Sequence, residues 1–217
     1  MGNLSLPPLL ARRRHGRIGL LGGSFNPAHM GHRHISLMAL KMLNLQEIWW
    51  LVSPQNPLKS AADMAPLKDR LDHAIRVADH PRIKVTALES LLGSRFTADS
   101  LTALHRRFPV TRFVWLMGAD NLAQIHRWTH WNRIFERTAV AVLDRPAYSA
   151  HSLASPAAHR YRRHRYMAAT ARQLVSAPTP AWIFLPIRLV PLSATQLRAN
   201  GFGLTPAAPP LLRHVSP

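Results

Sequence analysis

Cysteine is absent from the 217 residues. Its absence excludes disulfides, thiolate nucleophiles and Cys-rich zinc sites, so neither an oxidising compartment nor a redox activity is supported, and a reducing cytoplasm is the simplest home. Long apolar runs are missing too. No stretch approaches the ~18 apolar residues that a membrane span needs. The start, MGNLSLPPLLARRRHG, puts its charges after a short apolar patch broken by Pro7 and Pro8, the reverse of a secretory signal. Acidic residues are scarce: 10 Asp and Glu stand against 28 Lys and Arg, for a net charge of +18.

What is present describes an ordinary globular protein, with 47% hydrophobic and 18% charged residues and a length that suits one core and one active site. The surplus of positive charge is compatible with nucleic acid, an anionic surface or anionic small substrates. Much of it sits in Arg12, Arg13 and Arg14 and in the run HRYRRHRY at 159–166. We read these as solvated surface charge, which leaves nucleic acid the less favoured partner. The chain divides into a basic, flexible tail over 1–16, one domain over 17–200 and a Pro-rich tail from 201 to 217, with no internal repeat.

Hydrophobic periodicity predicts strands over 17–22, 47–52, 83–87, 112–117, 139–143 and 182–185. Between them it predicts helices over 31–43, 66–79 and 97–108, helical turns through 121–136, a basic helix over 157–175 and a short last helix opening at Ser193. Strands alternating with helices imply an α/β domain with a doubly wound parallel sheet, because parallel neighbours need crossovers that cover both faces. Ligands in such sheets lie beyond the carboxyl ends of the strands, which directs attention to the loops leaving them.

The first such loop is GGSFNPAHMGH, from Gly22 to His32. Gly22 and Gly23 permit a sharp turn and close backbone approach to a ligand, and Pro27 suits a position near a helix start. The helix behind offers free N–H groups and a positive dipole end to a phosphate. His29 and His32 are spaced to share one helical face, where they can donate to the same phosphate chain or carry positive charge as imidazolium. Three histidines in HMGHRH also raise zinc, but without the Glu of HExxH or any Cys no metal ligand is assigned.

Near the other end, PLSATQLRAN sets Ser193, Thr195 and Arg198 around a helix start, where hydroxyls, free amides and a guanidinium fork can hold phosphate oxygens.

Together these segments carry a resemblance. GGSFNPAHMGH is similar to the GGTFDPxHxGH signature of the adenylyltransferases of NAD biosynthesis, in the HxGH nucleotidyltransferase superfamily with its Rossmann-like fold. SATQLR resembles the ISSTxxR signature that closes the same ATP site. Ser24 stands for the usual Thr, and Asn26 for the usual Asp. WWLVSPQNPLK and VWLMGADNLAQIHRW look like the stretches that place a lysine near the phosphates and build the pyridine pocket in nicotinate-nucleotide adenylyltransferases.

The resemblance implies that ATP is held by Gly22, Gly23, Ser24, Phe25, His29, His32, Asp120, Ser193, Thr195 and Arg198. It implies that nicotinate mononucleotide is held by Ser24, Asn26, Lys59, Thr97 and Trp128, with Thr97 at the nicotinate carboxylate and Trp128 stacked on the ring. His29, His32, Lys59 and Arg198 are the expected catalytic groups. The implied reaction is in-line attack of the mononucleotide phosphate on the α-phosphorus of ATP, with Mg²⁺ carried mainly by the ATP phosphates. A homo-oligomer is allowed and a membrane partner is not expected. The alternatives are a relative acting on nicotinamide mononucleotide and, from another class, a basic nucleic-acid-binding protein.

Overall fold

Seven strands form one sheet in the computed structural model, which describes residues 16–54, 64–94, 96–145 and 148–187. They are β1 (Gly16–Gly23), β2 (Glu47–Val52), β3 (Ile83–Thr86), β4 (Thr111–Gly118), β5 (Ala139–Leu143), β6 (Arg165–Tyr166) and β7 (Trp182–Leu185). Every pairing is parallel, in the order β3-β2-β1-β4-β5-β7-β6. The strands read as almost unbroken apolar runs because both faces of such a sheet are covered.

The covering helices are α1 (Met30–Met42), α2 (Leu67–Ala78), α3 (Leu88–Leu91), α4 (Thr97–Arg107), α5 (Ala119–Gln124), α6 (Trp131–Arg137), α7 (Ser149–Leu153) and α8 (Pro156–Arg160). Alternate residues along each strand divide the core in two. Leu20, Trp49, Leu51, Phe113, Trp115 and Met117 pack with α4, α6 and α8. Leu21, Ile48, Trp50, Val52, Val114 and Leu116 pack with α1, α2 and the 3₁₀ segment Ala168–Ser176. The expected doubly wound α/β domain is the one observed.

From β1 the chain winds outward through β2 to β3, then crosses back to place β4 on the other side of β1. The direction of winding therefore reverses between β1 and β4, and the crevice beyond their carboxyl ends is the ligand position of this architecture. Two glycines keep it open. A Cβ on Gly22 would drive into the Trp115 ring, and one on Gly118 would meet Asp120 and Arg145.

One expectation fails. The basic helix over 157–175 is instead α8, a 3₁₀ turn Arg162–His164, the two-residue strand β6 and the 3₁₀ segment. A residue far along the chain supplies the reason. The Trp182 indole N–H donates to the Tyr161 carbonyl at 2.9 Å, while the Tyr161 ring stacks on Phe135. The same carbonyl accepts the His164 N–H at 2.9 Å, a bond of the 3₁₀ kind, and Arg165 and Tyr166 then pair with Trp182 and Ile183. The short α3 and α7 were not expected. The helix opening at Ser193, like both tails, lies outside the described residues.

Candidate active site

Chain turning at the end of β1 is sharp and closely packed. Phe25 adopts φ 46° and the Asn26–Pro27 bond is cis. Phe25 is buried and stacks on Trp50 with ring centres 5.0 Å apart, while its other neighbour is the His32 ring at 4.8 Å. The Trp50 indole N–H donates to Ser36 Oγ (2.8 Å), and Ser36 Oγ donates to the His32 carbonyl (2.8 Å). The aromatic wall behind His32 is thus tied to the first turn of α1.

The two histidines form the cap of that helix. His29 is the N-cap residue; its Nδ1 accepts from the Gly31 N–H at 3.1 Å. His32 Nδ1 accepts in turn from the His29 N–H, also at 3.1 Å. This is a capping box built from imidazoles in place of Ser and Glu. An Nδ1 that accepts carries no proton, so each ring keeps its proton on Nε2 and presents that N–H as a donor. The rings lie 3.9 Å apart.

The sequence left open donation by neutral rings or charge as imidazolium, and these hydrogen-bond directions correspond to neutral rings. Burial, helped by the nearby charge of Arg145, pushes His29 down to about 4. A neutral ring with one fixed N–H is a directional hydrogen-bond donor, and it needs no counter-charge when no anion is bound.

On the other side of the crevice, α5 begins directly after Gly118. Asp120 Oδ2 accepts from Arg145 Nη1 at 3.1 Å, and Asp120 Oδ1 is buried with no hydrogen-bond partner among the described residues. Asp144 Oδ1 shapes the loop after β5 by accepting from the Arg145 N–H (2.7 Å) and from Ser149 Oγ (2.5 Å). A hollow of about 470 Å³ between α5 and α7 meets the crevice through Asp120 and is also lined by Gln124, Arg127, Tyr148 and His151.

Thr97 is the first residue of α4, and Trp128 ends the 3₁₀ turn Ile125–Arg127, packing against the same half of the core as α4. The corner before α4 is held by polar groups. Ser100 Oγ donates to Glu89 Oε1 (3.2 Å), the hydroxyls of Ser94 and Ser100 lie 2.7 Å apart, and burial raises the Glu89 carboxyl to about 7. Lys59, Ser193, Thr195 and Arg198 lie outside the described residues.

Residues 20–200 match the cytidylyltransferase-like family. The chain belongs to that family. Among its relatives, a protein of Cereibacter sphaeroides named probable nicotinate-nucleotide adenylyltransferase is 54% identical over 184 residues, covering 85% of this chain and 97% of that one. A Bradyrhizobium protein of the same name is 50% identical over 182 residues, covering 84% and 95%. The solved structure of Plasmodium falciparum nicotinic acid mononucleotide adenylyltransferase complexed with NaAD aligns with a TM-score of 0.62 at 16% identity, covering 85% of this chain and 83% of that one. That last likeness is one of fold.

As a member of the cytidylyltransferase-like family, the chain adds three groups that its sequence alone did not point to. Arg145 donates to Asp120 and its charge helps to lower the pKa of His29. Glu89 braces the start of α4. Arg70 is completely buried and donates to four backbone carbonyls: Ser24 (2.6 Å), Ser53 (2.8 Å), Pro54 (2.9 Å) and Ala65 (2.9 Å).

Proposed function

We infer that this chain is a nicotinate-nucleotide adenylyltransferase: it transfers the adenylyl group of ATP to nicotinate mononucleotide, giving nicotinate adenine dinucleotide and pyrophosphate, a step of NAD biosynthesis. The observation that carries the reading is the histidine-capped start of α1 at the topological switch point, in a chain about half identical to relatives of that name over 85% of its length. The reaction needs no activated side-chain nucleophile, because the mononucleotide phosphate is itself the attacking anion. Catalysis then consists of aligning two anions and stabilising charge on the leaving pyrophosphate.

In this reading the N–H groups at the start of α1, with His29 Nε2 and His32 Nε2, donate to the triphosphate. Gly22, Gly23, Ser24 and Phe25 form the backbone wall along it. Asp120 holds the nucleotide with its unpartnered Oδ1, and Arg145 adds positive charge beside it. Ser193, Thr195 and Arg198 close over the phosphates, and Lys59 reaches them. Thr97 and Asn26 serve the mononucleotide, with Trp128 stacked on the pyridine.

Magnesium belongs to the reading as an ion carried on ATP oxygens and water. Such an ion takes its ligands mostly from substrate oxygens and water; among the described residues no three His, Asp or Glu side chains gather to hold a metal. No helix of the described residues is long and apolar enough to cross a membrane, and the cytoplasm is the compartment this reading assigns.

The test is pyrophosphate release from ATP with nicotinate mononucleotide and, in parallel, with nicotinamide mononucleotide. Release with the nicotinate substrate at a kcat/KM at least ten times that with the nicotinamide one is expected. The opposite preference would move the assignment to the nicotinamide substrate, and release with neither would remove it.

A further inference from the structure

A guanidinium with no carboxylate partner is an expensive group to bury, since its loss of hydration is repaid only if nearly all of its N–H groups find acceptors. Arg70 is in that position, 1% exposed in α2, and among the described residues its partners are carbonyls and no carboxylate pairs with it. Burial holds its pKa below the usual arginine range. The expense is informative because a well-packed Leu or Met would serve the core at less cost. What an apolar side chain cannot do is bond three separate pieces of backbone at once.

Those pieces are specific. Nη1 bridges the Ser24 carbonyl, in the loop after β1, and the Ser53 carbonyl, in the loop after β2. Nη2 takes the Pro54 carbonyl of the second loop, and Nε takes Ala65, at the entry to α2. The Ala65 N–H then donates back to Asn26 Oδ1 in the first loop at 3.3 Å. The result is a closed ring of hydrogen bonds running from Ser24 through Arg70 and Ala65 to Asn26, with the second loop fastened to the same guanidinium. Lysine could not replace it, because an ammonium is a point charge without the planar fork that reaches acceptors in several fixed directions.

We propose that Arg70 is a positioning residue of adenylyl transfer: its guanidinium registers the loop after β1 against Ser53 and Pro54 at the exit of β2, so that the groups of the first loop meet the two substrates at a fixed spacing. The proposal rests on the adenylyltransferase reading above, under which Ser24 and Asn26 of the first loop act on the substrates, and the anchor points of the second loop are Ser53 and Pro54. Rate depends steeply on such spacing, since a misplacement of about 1 Å costs on the order of 10²-fold.

The experiment uses the full chain with Arg70→Lys and Arg70→Ala. It measures pyrophosphate release per folded molecule with ATP and nicotinate mononucleotide, with and without millimolar guanidinium, together with amide exchange along the chain. We expect kcat to fall about 10²-fold in Arg70→Lys, with KM for each substrate changed by less than about fivefold. Exchange should rise both at 22–26 and at Ser53 and Ala65, whose N–H groups bond Gly23 and Asn26, while the β4 and β5 amides stay protected. Guanidinium, and not methylammonium, should restore Arg70→Ala at least tenfold, a response that general destabilisation would not give.

Normal kcat per folded molecule in Arg70→Lys, or loosening of one loop without the other, overturns the proposal. Failure of both variants to fold does so too, because Arg70 would then be a folding residue only. If the wild-type chain itself releases no pyrophosphate, the substrate assignment falls by itself, and exchange still decides whether Arg70 registers the loops.

Discussion

The two corners that flank the crevice bury ionisable groups of opposite sign and treat them in opposite ways. Beneath the loop after β1, Arg70 keeps its charge by bonding four carbonyls, and the His29 imidazole is held neutral by burial. On the other face of the sheet, before α4, the Glu89 carboxylate is met by the Ser100 hydroxyl among the described residues, and burial raises it to about 7, where half of it is uncharged at neutral pH. Burial drives His29 and Glu89 alike toward their neutral forms, and of the three only the guanidinium keeps its charge, so the lasting buried charge is positive. For a site proposed to gather a triphosphate, a second phosphate and a carboxylate, that is the useful asymmetry, because each buried anion would repel the substrates at low dielectric.

The comparison is broken most severely at the capping histidines. His29→Ala and His32→Ala should each lower turnover by about 10²- to 10⁴-fold. Each should also cost about 1 kcal/mol of stability, through the lost half of the capping box. Pyrophosphate release and thermal unfolding measured on the same samples separate the two effects. Turnover within threefold of wild type in both variants would remove the proposed donors.

Acid titration sharpens the same contrast. Glu89 has a folded pKa raised from 4.5 to about 7, so its contribution to stability is fully present below 4.5 and lost as pH rises through 7. His29 has a folded pKa lowered from 6.5 to about 4, so its contribution is present above 6.5 and lost as pH falls through 4. Each effect is on the order of 3 kcal/mol, and between pH 4.5 and 6.5 their slopes oppose. Glu89→Gln should therefore leave a chain that loses stability on acidification through this window, relative to wild type. His29→Asn should leave one that gains it. Unfolding midpoints in urea from pH 4 to 8 give the slopes, and parallel curves for the two variants would contradict the opposed burial.

Nearly all of the sheet was legible because buried parallel strands such as EIWWLV and RFVWLM are apolar after one charged first residue, and glycine or proline marks their exits. The histidine loop was legible for a similar reason: its residue types and spacing are local. What escaped reading depends on distant partners. Arg70 sits in LKDRLDHAIRVA among Lys68, Asp69 and Asp72, and looks like one more charge on a solvent face until Ser24 and Ser53 are brought to it. Glu89 lies in a four-residue helix too short to show periodicity. The helix misread over 157–175 gives way where Arg165 and Tyr166 pair with Trp182 and Ile183, a partner strand beyond the reach of local periodicity. The neutral histidines follow from hydrogen-bond direction, which no spacing rule contains.

The smallest expected effect concerns the departure at Asn26. A carboxylate there would place a negative charge in the ring that Arg70 closes, and the Ala65 N–H bond is accepted by the side-chain oxygen, which Asp also supplies. Asn26→Asp keeps that acceptor, so the unfolding midpoint at pH 8 should move little, and upward if the new charge lies within reach of the guanidinium. Asn26→Leu removes the acceptor and leaves a buried N–H unpaired, at a cost of about 1–3 kcal/mol. The difference between the two variants isolates the oxygen from the amide nitrogen. If Asn26→Asp costs as much as Asn26→Leu, the amide N–H is the group that matters, and the asymmetry between the two corners then extends to this position: even beside a buried guanidinium, the first loop does not accept an added anion.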